Sequence, residues 1–366
     1  MLTVPVLVAA AVGLGASFVD PRTLWWPQVV AVVLPYIGFG MAGALVIALA
    51  IRQRRVALAL TIPLLLLLVR TEPWARLGAD PAGETLHLTT FNVPNILEHG
   101  AMRDSMQRFL SRERPHLVPV QDAYVRGPRP NRNRDQWQSP QLRGVDEIGY
   151  TVETPLVLPG VGGWRRDATG VPLLVLEGMR VEEQEALVIA DPDDTKASQA
   201  IRSVIVWEGR RFVLYNVHLR SFGDAKPWLS PDFELRSPRT WPRSLAGLDA
   251  IYTARAADVE RIEAAIARET LPVVVAGDLN STPDNWSYRR LRNAGGVKRQ
   301  DAYREAGASV WGRTYHARTL IVRIDHVLVD PALAVLFAEV RNVGFSDHRP
   351  VLTGLRWREE DANSAP

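Results

Sequence analysis

The chain has 366 residues, of which 47% are hydrophobic and 23% are charged, which excludes a disordered polypeptide and leaves room for one large domain and a further segment. It contains no cysteine, which excludes disulfides, thiolate metal sites and a cysteine nucleophile, so any metal ion must be held by Asp, Glu, Asn or His. The formal net charge of +3 suits a phosphate-bearing partner or an anionic membrane but identifies neither.

The N-terminal part of the chain contains apolar stretches at residues 2–19, 28–51 and 56–69. A membrane-spanning helix needs about 20 apolar residues, and about 17 are tolerable. The second stretch meets this length, the first is borderline, and the third reaches it only with residues 71–74 in the interface. We therefore predict a transmembrane segment of about three helices over residues 1–76.

The orientation of this segment follows from its basic residues. Arg52, Arg54 and Arg55 form a dense cluster between the second and third stretches, which predicts a cytoplasmic loop there, although Arg70 at the other end blurs the bias. A cleaved signal peptide is the alternative for the first stretch, but no basic residue precedes Arg22. Three crossings predict a multi-pass membrane protein whose remaining chain lies outside the cytoplasm.

The rest of the chain alternates between strand-like and helix-like patterns, which predicts an α+β domain at residues 85–358, after a linker at 77–84 and before a tail at 359–366. Strand-like runs lie at residues 86–91, 117–120, 171–176, 201–207, 212–217, 271–276, 324–329 and 351–355. Helical periodicity lies at residues 102–110 and 245–268.

Two long connections interrupt this pattern. Residues 126–143 are rich in arginine, including Arg126 and Arg129, and residues 221–243 carry Trp228, Phe233 and Trp241. Connections inside compact domains have a median length of about 4–6 residues, and longer ones are often functional. The aromatic loop therefore has two open interpretations, a membrane-interface contact or an ordinary packed rim.

Polar residues follow several strand-like runs, at the point where a sheet presents side chains to a shared cleft. They are Asn92, Asp122, Asn216, His218, Asp278, Asn280, Asp325, Asp347 and His348. Taken one at a time, each has an ordinary structural explanation, because Asn, Asp and Gly are common turn residues.

Taken together, these residues resemble the endonuclease/exonuclease/phosphatase family. The motifs that carry the resemblance are Asn-Val-His-Leu at residues 216–219, Gly-Asp-Leu-Asn at 277–280 and Ser-Asp-His at 346–348, and their order matches from about residue 86 to residue 355. The resemblance implies a DNase-like four-layer α/β/β/α sandwich, and a metal-dependent hydrolase that cleaves phosphate ester bonds by attack of an activated water.

The resemblance also implies roles for the strand-end residues. The implied Mg2+ ligands are Asn92, Asp122 and Asp347. The implied catalytic residues are Asp278, which orients and deprotonates the attacking water, together with His218, Asn280, Asp325 and His348. We assign substrate binding to Asn216 and to the loop arginines Arg126 and Arg129.

One position departs from the family pattern, since the family usually has Glu where this chain has Asp122. The shorter side chain withdraws the carboxylate by roughly 1.5 Å, which is large against the geometry that Mg2+ demands. The ion could shift, a water could bridge, or the more tolerant Mn2+ could be favoured. A catalytically weak phosphate-binding module is therefore the alternative to an enzyme.

The family alone does not choose a substrate. Membrane helices before such a domain resemble bacterial membrane-anchored members associated with glycopeptide resistance, thought to act on polyprenyl pyrophosphate carriers. A tethered site favours a lipid-linked phosphate by local concentration. An extracytoplasmic nuclease is the alternative, because the arginine-rich loop suits a nucleic-acid backbone as well as a pyrophosphate. No obligate protein partner is evident.

Overall fold

The computed structural model describes residues 3–71, 84–94, 96–126, 137–155, 168–189, 194, 198–223, 241–306, 312–317 and 322–359. Most of the predicted linker, the tail and the two long connections lie outside these residues, as do Arg129, Trp228 and Phe233. The side chains of Arg126 and Trp241 also lie outside the description. The predictions made for these parts of the chain stay predictions.

The N-terminal apolar stretches form three packed helices, which we call the helical unit. They are α1 (Thr3–Gly15), which continues into a 3-10 turn at Ala16–Phe18, α2 (Trp26–Ala50) and α3 (Arg54–Thr71). Ala10, Met41 and Leu60 are buried where the helices meet.

The number of membrane-spanning helices differs from the prediction. Within the described part of the chain, α2 alone is long and apolar enough to cross a membrane, judged by length and composition. Helix α1 is shorter, and the 18 residues of α3 include Arg54, Arg55 and Arg70. Three transmembrane helices are therefore not confirmed, and one candidate is found.

The remaining elements alternate along the chain as expected. The strands are β1 (Leu86–Asn92), β2 (Leu117–Gln121), β3 (Val125–Arg126), β4 (Trp137–Gln138), β5 (Tyr150–Glu153), β6 (Ala168–Thr169), β7 (Leu173–Leu176), β8 (Arg180–Ala186), β9 (Gln199–Trp207), β10 (Arg210–His218), β11 (Val273–Asp278), β12 (Gln300–Asp301), β13 (Asp325–Val329), β14 (Leu333–Val340) and β15 (Val351–Trp357). The helices are α4 (His99–Glu113), α5 (Trp241–Ile266), α6 (Trp286–Arg292) and α7 (Ala302–Glu305).

Two six-stranded mixed sheets form the centre of the domain. The first has the order β14-β15-β1-β2-β7-β5 and the second β12-β13-β11-β10-β9-β8. The pairs β1–β2 and β10–β11 are parallel, whereas the other pairs in these two sheets are antiparallel. A small sheet of β4, β3 and β6 lies apart from them.

Apolar side chains hold the sheets face to face. Leu88 and Leu117 of the first sheet pack with Phe212, Leu214 and Ala276 of the second in one buried cluster. Fully burying an aliphatic or aromatic side chain of this kind contributes about 1.5–3 kcal/mol, so this layer is a major source of stability.

Helices cover the outer faces of both sheets. Met102 and Phe109 of α4 pack on the first sheet, while Val259 and Ile262 of α5 and Leu291 of α6 pack on the second. The expected α+β two-sheet sandwich is confirmed.

Candidate active site

Strand register brings three of the predicted residues side by side. In the second sheet, Asp278 at the end of β11 pairs with His218 of the parallel β10 and with Asp325 of the antiparallel β13. Asn92 ends β1 in the facing sheet, and its Nδ2 atom donates a hydrogen bond of 3.0 Å to Oδ2 of Asp278. The two sheets therefore meet at Asp278.

The carboxylate of Asp278 is buried and held on both sides. Its Oδ1 atom accepts a hydrogen bond of 2.8 Å from the backbone N–H of Asn280, while Asn92 bonds the other oxygen. Burial raises the pKa of Asp278, and the charge of Asp325 raises it further, while His348 and His218 oppose the increase. A carboxylate with a raised pKa is a stronger base, which suits proton abstraction from water.

His348 and Asp325 form a buried pair beside this carboxylate. Nδ1 of His348 lies 2.9 Å from Oδ2 and 3.2 Å from Oδ1 of Asp325, and its Nε2 lies 3.8 Å from Oδ2 of Asp278. Burial alone favours the neutral ring, but the carboxylates of Asp325 and Asp278 raise the pKa of His348 to about 9. The ring is therefore protonated at neutral pH, and Nε2–H is available as a donor.

His218 lies between two carboxylates. Its Nε2 is 3.7 Å from Oδ2 of Asp278, and its Nδ1 is 3.6 Å from Oδ1 of Asp122. Both separations exceed a normal hydrogen bond, so the ring is near each carboxylate without being fixed to either. A group in this position can turn toward a phosphoryl oxygen.

Two of the three predicted metal ligands have buried oxygens without hydrogen-bond partners in the described part of the chain. Within the described residues, Oδ1 of Asn92 and Oδ1 of Asp347 are buried and accept no hydrogen bond. Ser346 donates through Oγ to the carbonyl of Asn92, with a distance of 2.8 Å, which keeps the two chain segments together. Mg2+ selects oxygen ligands, so the chemistry of these two oxygens and of the Asp122 carboxylate suits a hard divalent cation.

A second group of side chains also offers ligand atoms. Those of Asp278, Asp325 and His348 lie within 4.8 Å of one another. These three side chains are therefore a second candidate position for a divalent cation.

Comparison with known proteins agrees with this chemistry. The model of the Endonuclease/Exonuclease/phosphatase family matches residues 187–348. Members of the family are metal-dependent phosphoesterases and nucleases, so the chain carries a metal-dependent hydrolase of phosphate esters.

Solved structures of similar shape have low sequence identity. A family protein from Bacteroides vulgatus is 15% identical, covers 75% of this chain and 100% of its own, and has a TM-score of 0.45. The human Nocturnin catalytic domain with bound sulfate is 14% identical, with coverages of 75% and 95% and a TM-score of 0.47. D. rerio TDP2 with single-strand DNA product is 13% identical, with coverages of 75% and 100% and a TM-score of 0.46. No curated protein matches the chain.

Asp122 occupies an unusual backbone conformation. It follows β2 with φ at +59°, in the left-handed region, and its side chain is about one-third exposed, at 32%. Asp and Asn tolerate this region better than most residues. The conformation gives a local reason for Asp at this position.

Asn216 lies inside the sandwich rather than in the cleft. Its Nδ2 atom donates to the carbonyls of Val120, Val171 and Pro172, each at 3.0 Å, and its Oδ1 accepts from Nε2 of Gln121 at 2.7 Å. Protein groups therefore occupy the whole amide. These contacts join the two sheets, and the role of Asn216 in substrate binding stays a prediction.

Asn280 is held by the backbone around it and by a residue that the sequence did not single out. Its Nδ2 donates to the carbonyl of Leu219 at 2.8 Å, and its own carbonyl accepts from Nη1 of Arg255 at 2.7 Å. Arg255 is buried and also donates to the carbonyl of Arg220. A charged residue within the apolar stripe of α5, between Tyr252 and Val259, was the available signal.

Proposed function

We propose that the protein is a membrane-anchored, divalent-metal-dependent phosphoesterase that hydrolyses a phosphate ester or pyrophosphate carried by a lipid. The observation that carries the hydrolytic part is the grouping of a buried carboxylate, Asp278, with two histidines whose Nε2 atoms lie 3.7 and 3.8 Å from it. A carboxylate base and ring N–H donors around one point are what attack of water on a phosphate requires.

The residues divide the reaction between them. Asp278 takes a proton from the water whose oxygen attacks phosphorus, and the bond from phosphorus to the leaving oxygen breaks. His348, protonated and oriented by Asp325, donates to a phosphoryl oxygen as negative charge grows there. His218 and Asn280 supply further donors. Asn92, Asp122 and Asp347 would hold Mg2+, or the more tolerant Mn2+, whose chemistry is Lewis-acid stabilisation of the phosphoryl oxygens.

The surface of the helical unit supports the membrane part of the proposal. Large apolar side chains face outward on it, with exposed fractions of 53% for Phe39, 61% for Ile47, 67% for Leu58 and 54% for Leu66. Soluble proteins rarely expose contiguous apolar patches of more than a few hundred Å². We propose that lipid covers this surface, and that α1 and α3 cross the bilayer with α2.

The connection between the helices and the domain supports a lipid-borne substrate. Gln28 at the start of α2 and Arg70 at the end of α3 both contact the domain, while the basic cluster at Arg52 to Arg55 lies at the other ends of these helices. This arrangement fits a catalytic domain resting against the outer membrane surface. A substrate confined to that surface meets the site at a high local concentration.

A substrate comparison on the full chain tests the proposal. The protein is reconstituted in liposomes with Mg2+ or Mn2+ and offered a polyprenyl pyrophosphate, sphingomyelin and plasmid DNA. Wild type and Asp104→Asn, a control in α4 outside the site, are expected to release phosphate from the polyprenyl substrate, and Asp278→Asn is not. DNA nicking that depends on Asp278, without lipid turnover, would establish the nuclease instead. Absence of turnover on every substrate would favour the phosphate-binding module.

A further inference from the structure

The stretch from Asp278 to Trp286, which we call the catalytic segment, is fixed almost residue by residue. Inside the domain, the carbonyl of Asn280 accepts from Arg255, and the carbonyl of Ser281 lies 2.9 Å from Nε2 of His326. The N–H of Leu279 donates to the carbonyl of Ile324 at 2.9 Å. The half of the segment nearest Asp278 is therefore held by the domain itself.

The other half is held by the helical unit. Oε1 of Gln28 accepts a hydrogen bond of 2.9 Å from the backbone N–H of Trp286 and one of 3.2 Å from Nδ2 of Asn285. The backbone carbonyl of Gln28 accepts from the same Nδ2 at 2.9 Å. Gln28 and Asn285 are 1% and 2% exposed, so water cannot replace these bonds without opening the interface.

Asn285 connects Gln28 to the part of the catalytic segment that lies nearer to Asp278. Its Oδ1 accepts from the backbone N–H of Thr282 at 2.8 Å and from the Thr282 hydroxyl at 2.9 Å. One residue of the helical unit thereby fixes both ends of the turn between Thr282 and Trp286. Thr282 is four residues along the chain from Asp278, so displacement of the turn would shift the Asp278 carboxylate.

A second contact restrains the same turn. Nε of Arg70 lies 2.7 Å from Oδ1 of Asp284, and both side chains are largely buried. Arg70 also donates to the carbonyl of Leu14 and to Oγ of Ser17, each at 2.8 Å. The guanidinium therefore ties the ends of α1 and α3 to the catalytic segment at one point.

We propose that Gln28 and Arg70 are positioning residues for catalysis, so that the helical unit is a working part of the active site as well as an anchor. This inference rests on the proposed function, because it assigns the catalytic segment a reaction to perform. Hydrolysis needs Asp278 aligned with the attacking water, and misplacement by about 1 Å can cost about a hundredfold in rate. Contacts on the segment that carries the base are well placed to prevent such a shift.

The interface offers a matched control. Arg22 bonds Glu260 of α5 through Nη1 and Nη2, at 2.7 and 2.5 Å. This pair joins the same two parts of the protein but bonds α5 instead of the catalytic segment, and it is partly exposed. If a substitution acts only by loosening the interface, variants at all of these contacts should lower kcat alike. If the contacts position the catalytic segment, only the variants at Gln28 and Asp284 should lower kcat.

The test compares Gln28→Met, Gln28→Glu, Asp284→Asn and Arg22→Gln in the full chain, purified in detergent with Mg2+ or Mn2+ and assayed on a chromogenic phosphodiester. Gln28→Met keeps the side-chain length but removes the acceptor and also the Nε2 donor that bonds the carbonyls of Ala16 and Val19. Gln28→Glu keeps the acceptor and loses the same donor bonds, so it separates the two effects. We expect Gln28→Met and Asp284→Asn to lower kcat about tenfold with little change in KM, Gln28→Glu to recover part of the rate, and Arg22→Gln to match wild type. Hydrogen exchange at the amides of Thr282 and Trp286 should be faster in Gln28→Met and unchanged in Arg22→Gln.

Two results overturn the inference. One is wild-type kcat and exchange in Gln28→Met and Asp284→Asn, and the other is an equal loss in Arg22→Gln. The exchange readout does not depend on turnover. If wild type cleaves no phosphate ester, the proposed function fails. Hydrogen exchange at Thr282 and Trp286 still shows whether Gln28 holds the catalytic segment in place.

Discussion

Nδ1 of His348 lies 2.9 Å from Oδ2 of Asp325, and both side chains are buried. The pair fixes the direction of the ring, and with Asp278 it raises the pKa of His348 to about 9 against the preference of burial for the neutral form. A buried imidazolium beside a buried carboxylate base is the feature that gives the cleft both a donor and an acceptor of protons.

Replacing Asp325 is expected to change the pH dependence of the reaction. In wild type, kcat/KM should fall as the pH rises through about 9, because His348 then loses the proton that it donates. Asp325→Asn removes a charge that raises this pKa, so the fall should move to lower pH and the rate at neutral pH should drop by about tenfold or more. A pH–rate profile with the Asp104→Asn control measures this, and an unchanged alkaline limb would contradict the role of the pair.

Lengthening Asp122 is expected to alter the metal requirement. Asp122→Glu restores the reach that is usual in the family, so the Mg2+ concentration for half-maximal rate should fall, whereas Asp122→Asn should raise it. Glu tolerates the left-handed backbone at φ +59° less well, so stability should fall by about 1 kcal/mol. Rates measured against Mg2+ and Mn2+ concentration test this. Identical curves for wild type and the two variants would show that Asp122 is not a metal ligand.

Replacing Asn216 is expected to lower the stability of the fold more than it weakens substrate binding. Asn216→Leu removes the buried amide that bonds the carbonyls of Val120, Val171 and Pro172 and the Gln121 side chain, which should cost about 2–4 kcal/mol. The control Asn293→Ala removes one exposed amide bond and should cost less than about 0.5 kcal/mol. Thermal unfolding and KM at low temperature separate the two effects. A raised KM with unchanged stability would support the predicted role of Asn216 in substrate binding.

The absence of native cysteine makes membrane topology directly measurable. Residue Gln53 lies in the exposed turn between α2 and α3, and Arg108 lies on the exposed face of α4, so each can be replaced by a single cysteine. If the domain is extracytoplasmic, a membrane-impermeant maleimide should label Arg108→Cys on intact cells and Gln53→Cys only after lysis. The reverse pattern would place the catalytic domain in the cytoplasm.

The sandwich was predictable where hydrophobic burial dominates the sequence. Runs such as residues 212–217 and 271–276 predict strands, and they match β10 and β11 closely. Strand β8 was missed because it is an edge strand with the sequence Arg-Val-Glu-Glu-Gln-Glu-Ala, in which charge hides the apolar alternation. Short α6 was missed because it has seven residues, three of them arginine.

The candidate site was predictable where motifs place residues at strand ends. Asn92, His218, Asp278, Asp325 and His348 lie together because register and sheet pairing bring strand ends to one edge. Gln28 and Arg255 were not predicted, since their roles depend on contacts between residues far apart in the chain. No local pattern carries that information.

The measurement that bears most directly on the central claim is the metal-dependent hydrolysis of a phosphodiester by the full chain. Protein stripped of metal should be inactive, and Mg2+ or Mn2+ should restore turnover in wild type and in Asp104→Asn. Asp278→Asn should lose about a thousandfold or more in kcat under the same conditions, because the general base is gone. Turnover that persists without metal, or wild-type kcat in Asp278→Asn, would contradict the account.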